Sequence, residues 1–531
     1  LDVGAKQVCP LCGSDDGFHA GTPEDDSRWF CYSTNHGARA PAGVGQVQPE
    51  GTGYGDSLDL ATHERGIAAR DLLMADGYLE KPKPPKPGEG RVPVLLPGEW
   101  WDGLQTIVQR KNAFVAEAVA AMPSDMLYRR GELLVTLDVD KGSLTRVSRD
   151  RMARLVDKHA HTYKWVKPKG EAPKAVYCPI PSDLSGHLAE ISPLESAVNH
   201  VDTVVSHPVV AREESGAFRI CQPGYDAKAC VYTLPHGADI VEDMPWEQCR
   251  DVLEDLLVDY PFQDEASYQN AVAMMVTLVV RPAVNTAPLF YVGASLAGTG
   301  KSKLVSDTIS MAVMGRSANA STYKNSEEET RKYLESVLLS GESFVFIDNV
   351  PTGRMVDSAS LAAVLTMANI NMRILGETRE SSVRNMLTLA ITGNNTRLSH
   401  ELARRACPIV LVPKDNRPET RDDFKHPHAR TYARTQRGLV LSAIVSAARR
   451  WESLGCPEPL HMERVGSYEE WRNVVGGIME HGLSYRRTMS NQANFMETSG
   501  DDSRDDADTL AQVFQACNGF GPGNARTHAQ V

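Results

Sequence analysis

The stretch LFYVGASLAGTGKSKLVS, residues 289–306, decides how the centre of this chain is read. An apolar run from Leu289 to Val292 leads into small residues and then Gly298-Thr299-Gly300-Lys301-Ser302. A strand, a side-chain-poor loop and a helix start let backbone N–H groups converge on an anion, and the helix dipole adds positive charge there. Gly298, Thr299 and Gly300 are the candidate phosphate cradle, Lys301 the cation for the terminal phosphates and Ser302 the hydroxyl for Mg²⁺. The pattern has one departure: Ser295 stands where such loops usually open on glycine.

Downstream residues extend the pattern. SFVFIDN (343–349) is an apolar run ending in Asp348, where an acid would hold the Mg²⁺ water shell. LTLAITGNN (387–395) is a second such run, and its Asn394 is suited to orienting an attacking water. Arg404 and Arg405 follow in Leu402-Ala-Arg-Arg-Ala. Lysine, aspartate, asparagine and arginine recur in this order, each polar group at or just after an apolar strand. That order points to ATP hydrolysis. Between 289 and about 412 apolar strands alternate with helical patterns, which predicts an α/β fold with a parallel sheet.

These residues resemble a family. Gly-x-Gly-Lys-Ser, Asp348-Asn349, Thr392-Gly-Asn-Asn395 and Glu401-Leu-Ala-Arg-Arg405 are similar to the AAA+ ATPase core of phage and mobile-element primase–helicases, related to superfamily 3. The resemblance runs from about Asp251 to Gly482 and implies an AAA+ P-loop NTPase core with an α-helical lid. It implies a homo-oligomeric ring, usually a hexamer, acting on single-stranded or forked DNA. Carried onto this chain, Lys301 and Ser302 hold phosphate and Mg²⁺, Asp348 is the Mg²⁺ carboxylate and Asn394 the sensor. Arg404 or Arg405 would reach the neighbouring subunit's γ-phosphate; the plain alternative is a solvated helix face.

The usual glutamate base is absent, because Asn349 stands beside Asp348. Either Asp348 doubles as base, an acid such as Glu342 swings in, or hydrolysis is slow. Asn371–Leu387 reads as a β-hairpin around Gly-Glu-Thr-Arg-Glu-Ser-Ser. The resemblance implies that such a hairpin grips single-stranded DNA, with Arg379 near the tip and Arg373 or Arg384 on phosphates. Pairing at a subunit edge is the alternative.

Near the start, Cys9, Cys12, Cys31 and His36 form C-x2-C-x18-C-x4-H, a spacing that suits tetrahedral Zn²⁺, with His19 as the alternative fourth ligand. The segment resembles the zinc ribbon of bacterial and phage primases. Val135-Thr-Leu-Asp138-Val-Asp140 offers paired carboxylates, but no partner motif for a polymerase accompanies them, and a hairpin turn accounts for both. From Lys141 to Lys174, ten Lys or Arg stand against three acids, on what reads as a basic helix over 149–165.

At 531 residues with 42% hydrophobic and 23% charged residues, several soluble domains are expected. The net charge of −12 confines nucleic-acid contact to local patches. No apolar run reaches membrane-span length, and no signal segment opens the sequence, which points to the bacterial cytoplasm. The expected organisation is a zinc ribbon (1–40), a helix and proline-rich linker (41–90), a mixed α+β middle domain (91–245), the ATPase core (246–415), a helical lid (416–485) and a polar tail (486–531). The reading is an ATP-driven DNA helicase; the alternatives are a bifunctional primase–helicase or an initiator that only assembles on ATP.

Overall fold

The computed structural model describes residues 91–96, 111–166, 174–181, 184, 198–213, 215–373, 380–414 and 416–499. Beyond these it describes only the backbone of short strands between 6 and 56 and of residues 107–110. The chain forms two compact units, residues 1–123 with 148–197, and residues 124–147 with 198–531.

In the first unit, Lys6–Gln7, Phe18–Ala20, Arg28–Cys31, Gly53–Asp56 and Gln46–Val47 form an antiparallel sheet in that spatial order. The last two strands lie where a flexible tether was expected over 41–55. The side chains of Cys9, Cys12, Cys31 and His36 lie outside the described residues, as do the expected helix beyond Asp56 and the proline-rich linker. A second sheet sets Ala160–Val166 between Val92–Leu95 and Lys174–Tyr177. The basic helix is therefore shorter than expected. It spans Arg149–His159, with the Ser148 hydroxyl accepting from the Arg151 N–H, and its chain then turns into a strand. Thr162, Tyr163, Trp165 and Val166 favour a pleated surface, and pairing with Val92–Leu95 overrides the helical spacing.

The second unit is built on five parallel strands: β1 (Leu289–Ala294), β2 (Ala320–Thr322), β3 (Phe344–Val350), β4 (Thr388–Asn394) and β5 (Ala406–Leu411). Their order is β2-β3-β4-β1-β5. Every residue of β1 is buried, as both faces of a central parallel strand must be. Helix α1 (Trp246–Leu257) precedes α2 (Glu265–Val280), which is capped by the Asp264 carboxylate. From Ala266 on, all but Tyr268 of α2 is buried, so the longest apolar run of the sequence is a core helix. Three contiguous segments after β1, Lys301–Lys303, Leu304–Ile309 and Ser310–Met314, make helix α3, its middle segment π-helical. Helices α4 (Glu327–Leu339) and α5 (Ala359–Thr366) flank β3 in sequence, and the one-turn helix α6 (His400–Ala403) precedes β5.

The long helix α7 (Ala429–Ser453) and the helical segments from Glu469 to Gly482 occur where helices were expected. Residues 486–499 open the expected polar tail (486–531), and residues 500–531 lie outside the described residues. Thr488, Met489 and Phe495 are buried, and helix α8 (Gln492–Ser499) follows. Asn491 and Gln492 donate to the carbonyls of Pro408 and Ala406 on β5. Among the described residues no helix is long and apolar enough to cross a membrane.

Candidate functional site

The strand ends align the polar groups. Ala294 of β1 stands level with Asn394 of β4 and with Leu411 of β5, so the segments that follow all leave the sheet at one edge. Ligands of open parallel sheets bind at such carboxyl ends. In β3 the pairing with β4 shifts between Ile347 and Val350, and Asn349 has φ 59°. This bulge carries Asp348 and Asn349 at the same edge.

Six side chains are hydrogen-bonded there. The Lys301 ammonium donates to Asn394 Oδ1 at 2.5 Å and to Thr299 Oγ1 at 3.3 Å. The Ser302 hydroxyl donates to Asp348 Oδ1 at 2.6 Å, and the Thr392 hydroxyl donates to the same oxygen at 2.5 Å. Thr392 also accepts from the Asn349 N–H at 2.9 Å. Both hydroxyls therefore bond the same carboxylate oxygen of Asp348. Burial holds the Lys301 ammonium below the ordinary lysine range, partly offset by Asp348. A buried cation beside a loop of free N–H groups is a site for a polyanion. A hydroxyl and a carboxylate within 2.6 Å are the hard oxygen donors that suit Mg²⁺.

The loop needs its glycines. Gly298 (φ 78°) and Gly300 (φ 90°) sit in the left-handed region. A Cβ on Gly298 would also lie 3.2 Å from Glu419 Cβ, and one on Gly300 3.5 Å from the Tyr260 ring. These contacts close a cleft of about 730 Å³ whose far wall is Asp259-Tyr260-Pro261 and the strap from Pro413 to Ala429. Asp259 fastens the strap: its carboxylate accepts from the N–H groups of Lys425 and His426, and its carbonyl accepts from Arg421 at 2.5 Å. Arg421 lies over the Phe424 ring at 4.4 Å. Lys414, Arg421, Phe424 and Thr392 were not singled out as site residues from the sequence. The signal available was position: the charged, proline-containing stretch 413–429 directly follows an apolar strand.

The other candidates fall elsewhere. Arg405 is buried, donating to the Glu401 carbonyl and pairing with its carboxylate at 2.7 Å. Arg404 has a side chain 47% exposed, and its distance to Glu401 is 3.8 Å. Of the pair, Arg404 is the one free to meet another molecule.

Glu342 cannot swing in. It lies before β3, six positions from Asp348, which is roughly 20 Å along an extended strand. It faces Arg316 at the opposite sheet edge, and burial raises its carboxyl above the ordinary range.

The hairpin exists: Asn369–Arg373 pairs antiparallel with Glu380–Arg384. Arg373 is exposed, whereas Arg384 is 3.7 Å from Asp202 and donates to the Pro282 carbonyl. Arg379 lies outside the described residues. Asp138 ends the strand Leu133–Asp138 and accepts from the Lys141 N–H across a tight turn into Ser143–Arg146. Among the described residues no group of His, Cys, Asp or Glu is arranged to hold a metal ion by itself.

No family model matches the sequence, and no curated protein matches it. By structure the chain is similar to a solved "NrS-1 C terminal region-CTR", with 13% identity and a TM-score of 0.34 over 68% of this chain and 88% of that one. It is also similar to "SCCmec type IV Cch - active helicase", with 10% identity and a TM-score of 0.28 over 70% of this chain and 73% of that one. At these scores neither likeness fixes a family or an activity.

Proposed function

We propose that this chain hydrolyses ATP at the β1–β3–β4 edge and uses the cycle to move along or open DNA. One observation carries the reading: Lys301, Ser302, Asp348 and Asn394, scattered over 94 positions, converge within hydrogen-bond distance at one glycine loop. In this reading the loop N–H groups and Lys301 bind the β- and γ-phosphates. Ser302 and Asp348 hold Mg²⁺, which supplies charge neutralisation on the phosphates. Asn394, now bonded to Lys301, is placed to exchange that partner for phosphate or the attacking water. With Asn349 beside it and Glu342 at the far edge, Asp348 is the base candidate that fits the geometry best.

Arg404 acts from an adjacent copy in a ring, the exposed face of Arg373 contacts nucleic acid, and Cys9, Cys12, Cys31 and His36 hold Zn²⁺ in a template-binding ribbon. The same site favours a second reading, an initiator that assembles on ATP and turns it over slowly, because Asn349 stands where a glutamate base is usual and Asp348 Oδ1 is already engaged by two hydroxyls. A primase activity at Asp138 has less support, since that carboxylate anchors its own turn.

Steady-state ATP hydrolysis and strand displacement by wild type and Lys301→Ala decide. Both should vanish in the variant. Hydrolysis without displacement in wild type supports the initiator, and equal hydrolysis in both proteins refutes the nucleotide site.

A further inference from the structure

The hairpin Asn369–Arg384 is not held only by its own strands. The turn between strands Tyr128–Arg130 and Leu133–Asp138 is pressed against its second strand. The Glu132 N–H donates to the buried Ser381 hydroxyl at 3.0 Å. Gly131, at φ 53°, approaches so closely that a Cβ there would lie 2.4 Å from Ser381 Oγ and 2.5 Å from the Ser382 carbonyl oxygen. Next to Gly131, Arg130 is fully buried and donates through Nε to the Leu338 carbonyl at 2.7 Å.

That sheet and a neighbouring strand, Thr203–Val205, hold the turn that enters β3. The Leu144 N–H donates to the Ser340 carbonyl at 2.7 Å, while Thr203 Oγ1 and the Val204 N–H both donate to the Gly341 carbonyl. The strands around this turn thus touch both the hairpin and the start of the strand that bears Asp348. The hairpin's second strand continues directly into β4. Its root at Asn385 is locked: the side-chain amide donates to the Val364 and Met367 carbonyls, and Arg281 donates to the Asn385 and Leu387 carbonyls. Hairpin strand and β4 therefore form one stiff lever whose far end is Asn394.

We propose that the Gly131–Glu132 turn is a positioning element that sets the hairpin against β3 and β4, coupling nucleic-acid contact at the hairpin to nucleotide turnover at Asp348 and Asn394. The inference rests on the proposed ATPase and on the hairpin as its nucleic-acid contact. A turn without side chain or N–H in use would serve packing equally well; a left-handed glycine fitted to a buried serine fixes an angle. Coupling between sites lives in such packed contacts between two-state elements.

The test uses the full chain and measures ATP turnover with and without a single-stranded DNA oligonucleotide, alongside the thermal midpoint. Ser381→Ala removes the bond and Gly131→Ala crowds the contact. Stimulation by the oligonucleotide should fall roughly two- to thirtyfold in each, with unstimulated turnover unchanged. Ser381→Cys, which keeps a weak acceptor, should recover part of it. Where Gly131→Ala does not fold, Ser381→Ala decides alone. A folded Ser381→Ala with wild-type stimulation overturns the inference. So does a wild type whose turnover ignores DNA, and in that case the ATPase reading, tested by Lys301→Ala, still stands.

Discussion

Thr392→Val is the substitution that most directly probes how the site is held. Thr392 is buried, and its hydroxyl joins two strands: it donates to Asp348 Oδ1 at 2.5 Å and accepts from the Asn349 N–H at 2.9 Å. Valine has nearly the same shape, so the change deletes two hydrogen bonds with little loss of volume. A bond to a charged acceptor contributes roughly 1.5–3 kcal/mol and a neutral one about 1 kcal/mol. Asp348 is only partly buried, which favours the lower end, on the order of 2–3 kcal/mol in all. The bulge at Asn349, already at φ 59°, loses the bond that pins it. Urea unfolding followed by fluorescence of Trp451 and Trp471, both in the core of the same unit, reads the stability term. ATP turnover reads the other, and a loss of 1–2 kcal/mol in alignment of Asp348 corresponds to roughly five- to thirtyfold. Thr392→Ser keeps the hydroxyl and should behave like wild type. Valine matching wild type in both measurements would refute the claim that this hydroxyl positions Asp348.

Five further outcomes are expected. His207 is buried with Nε2 on the Leu278 carbonyl, and burial pulls its pKa from 6.5 to about 4. Below pH 6.5 the unfolded chain takes up a proton that the native chain refuses, so stability falls by roughly 3 kcal/mol as pH drops from 6.5 towards 4 and is flat above 6.5. His207→Gln should flatten that slope in unfolding measured between pH 7 and 4.5, and parallel slopes would count against it. Arg404→Ala should leave the melting temperature unchanged yet cut turnover of the assembled protein by tenfold or more, on the order expected for a trans-acting arginine. Arg405→Ala should instead lower stability by about 1 kcal/mol, since its partner Glu401 is half exposed; the reverse pattern on melting and turnover would exchange their roles. Gly477→Ala should cost about 1–3 kcal/mol by overpacking, because a Cβ would lie 2.4 Å from Trp451 Nε1, and an unchanged melting midpoint would contradict this. Metal analysis should find zinc bound and lost on Cys9→Ser; zinc-free wild type ends the ribbon.

Much of the second unit was legible because its central strands β1 and β4 are buried on both faces. Continuous apolar runs such as LFYVGA and TLAITGN admit few alternatives once a glycine loop or an asparagine closes each one. The hairpin was legible for the opposite reason: Met372 and Val383 are inward, and exposed residues alternate with them along both strands. The stretch 149–165 misled because a basic, helix-spaced segment and an edge of β-branched and aromatic residues overlap. Only the partner strand Val92–Leu95, over fifty positions earlier, decides for sheet after His159.

What stayed hidden at the site was set by distant packing. Arg404 and Arg405 are neighbours of identical chemistry, and no local rule separates them. The structure does so through residues 486–499, which the sequence presented as a polar tail. There Gln492 donates to the Arg404 and Ala406 carbonyls, on either side of Arg405, while Asn491 reaches Pro408. That packing lies at the start of β5, beside Arg405, which is buried and pairs with Glu401 while Arg404 stays exposed. The difference between the two arginines is therefore expected to depend on how helix α8 packs. Truncating the chain before Gln492 should expose Arg405 and blur the difference between the two alanine variants.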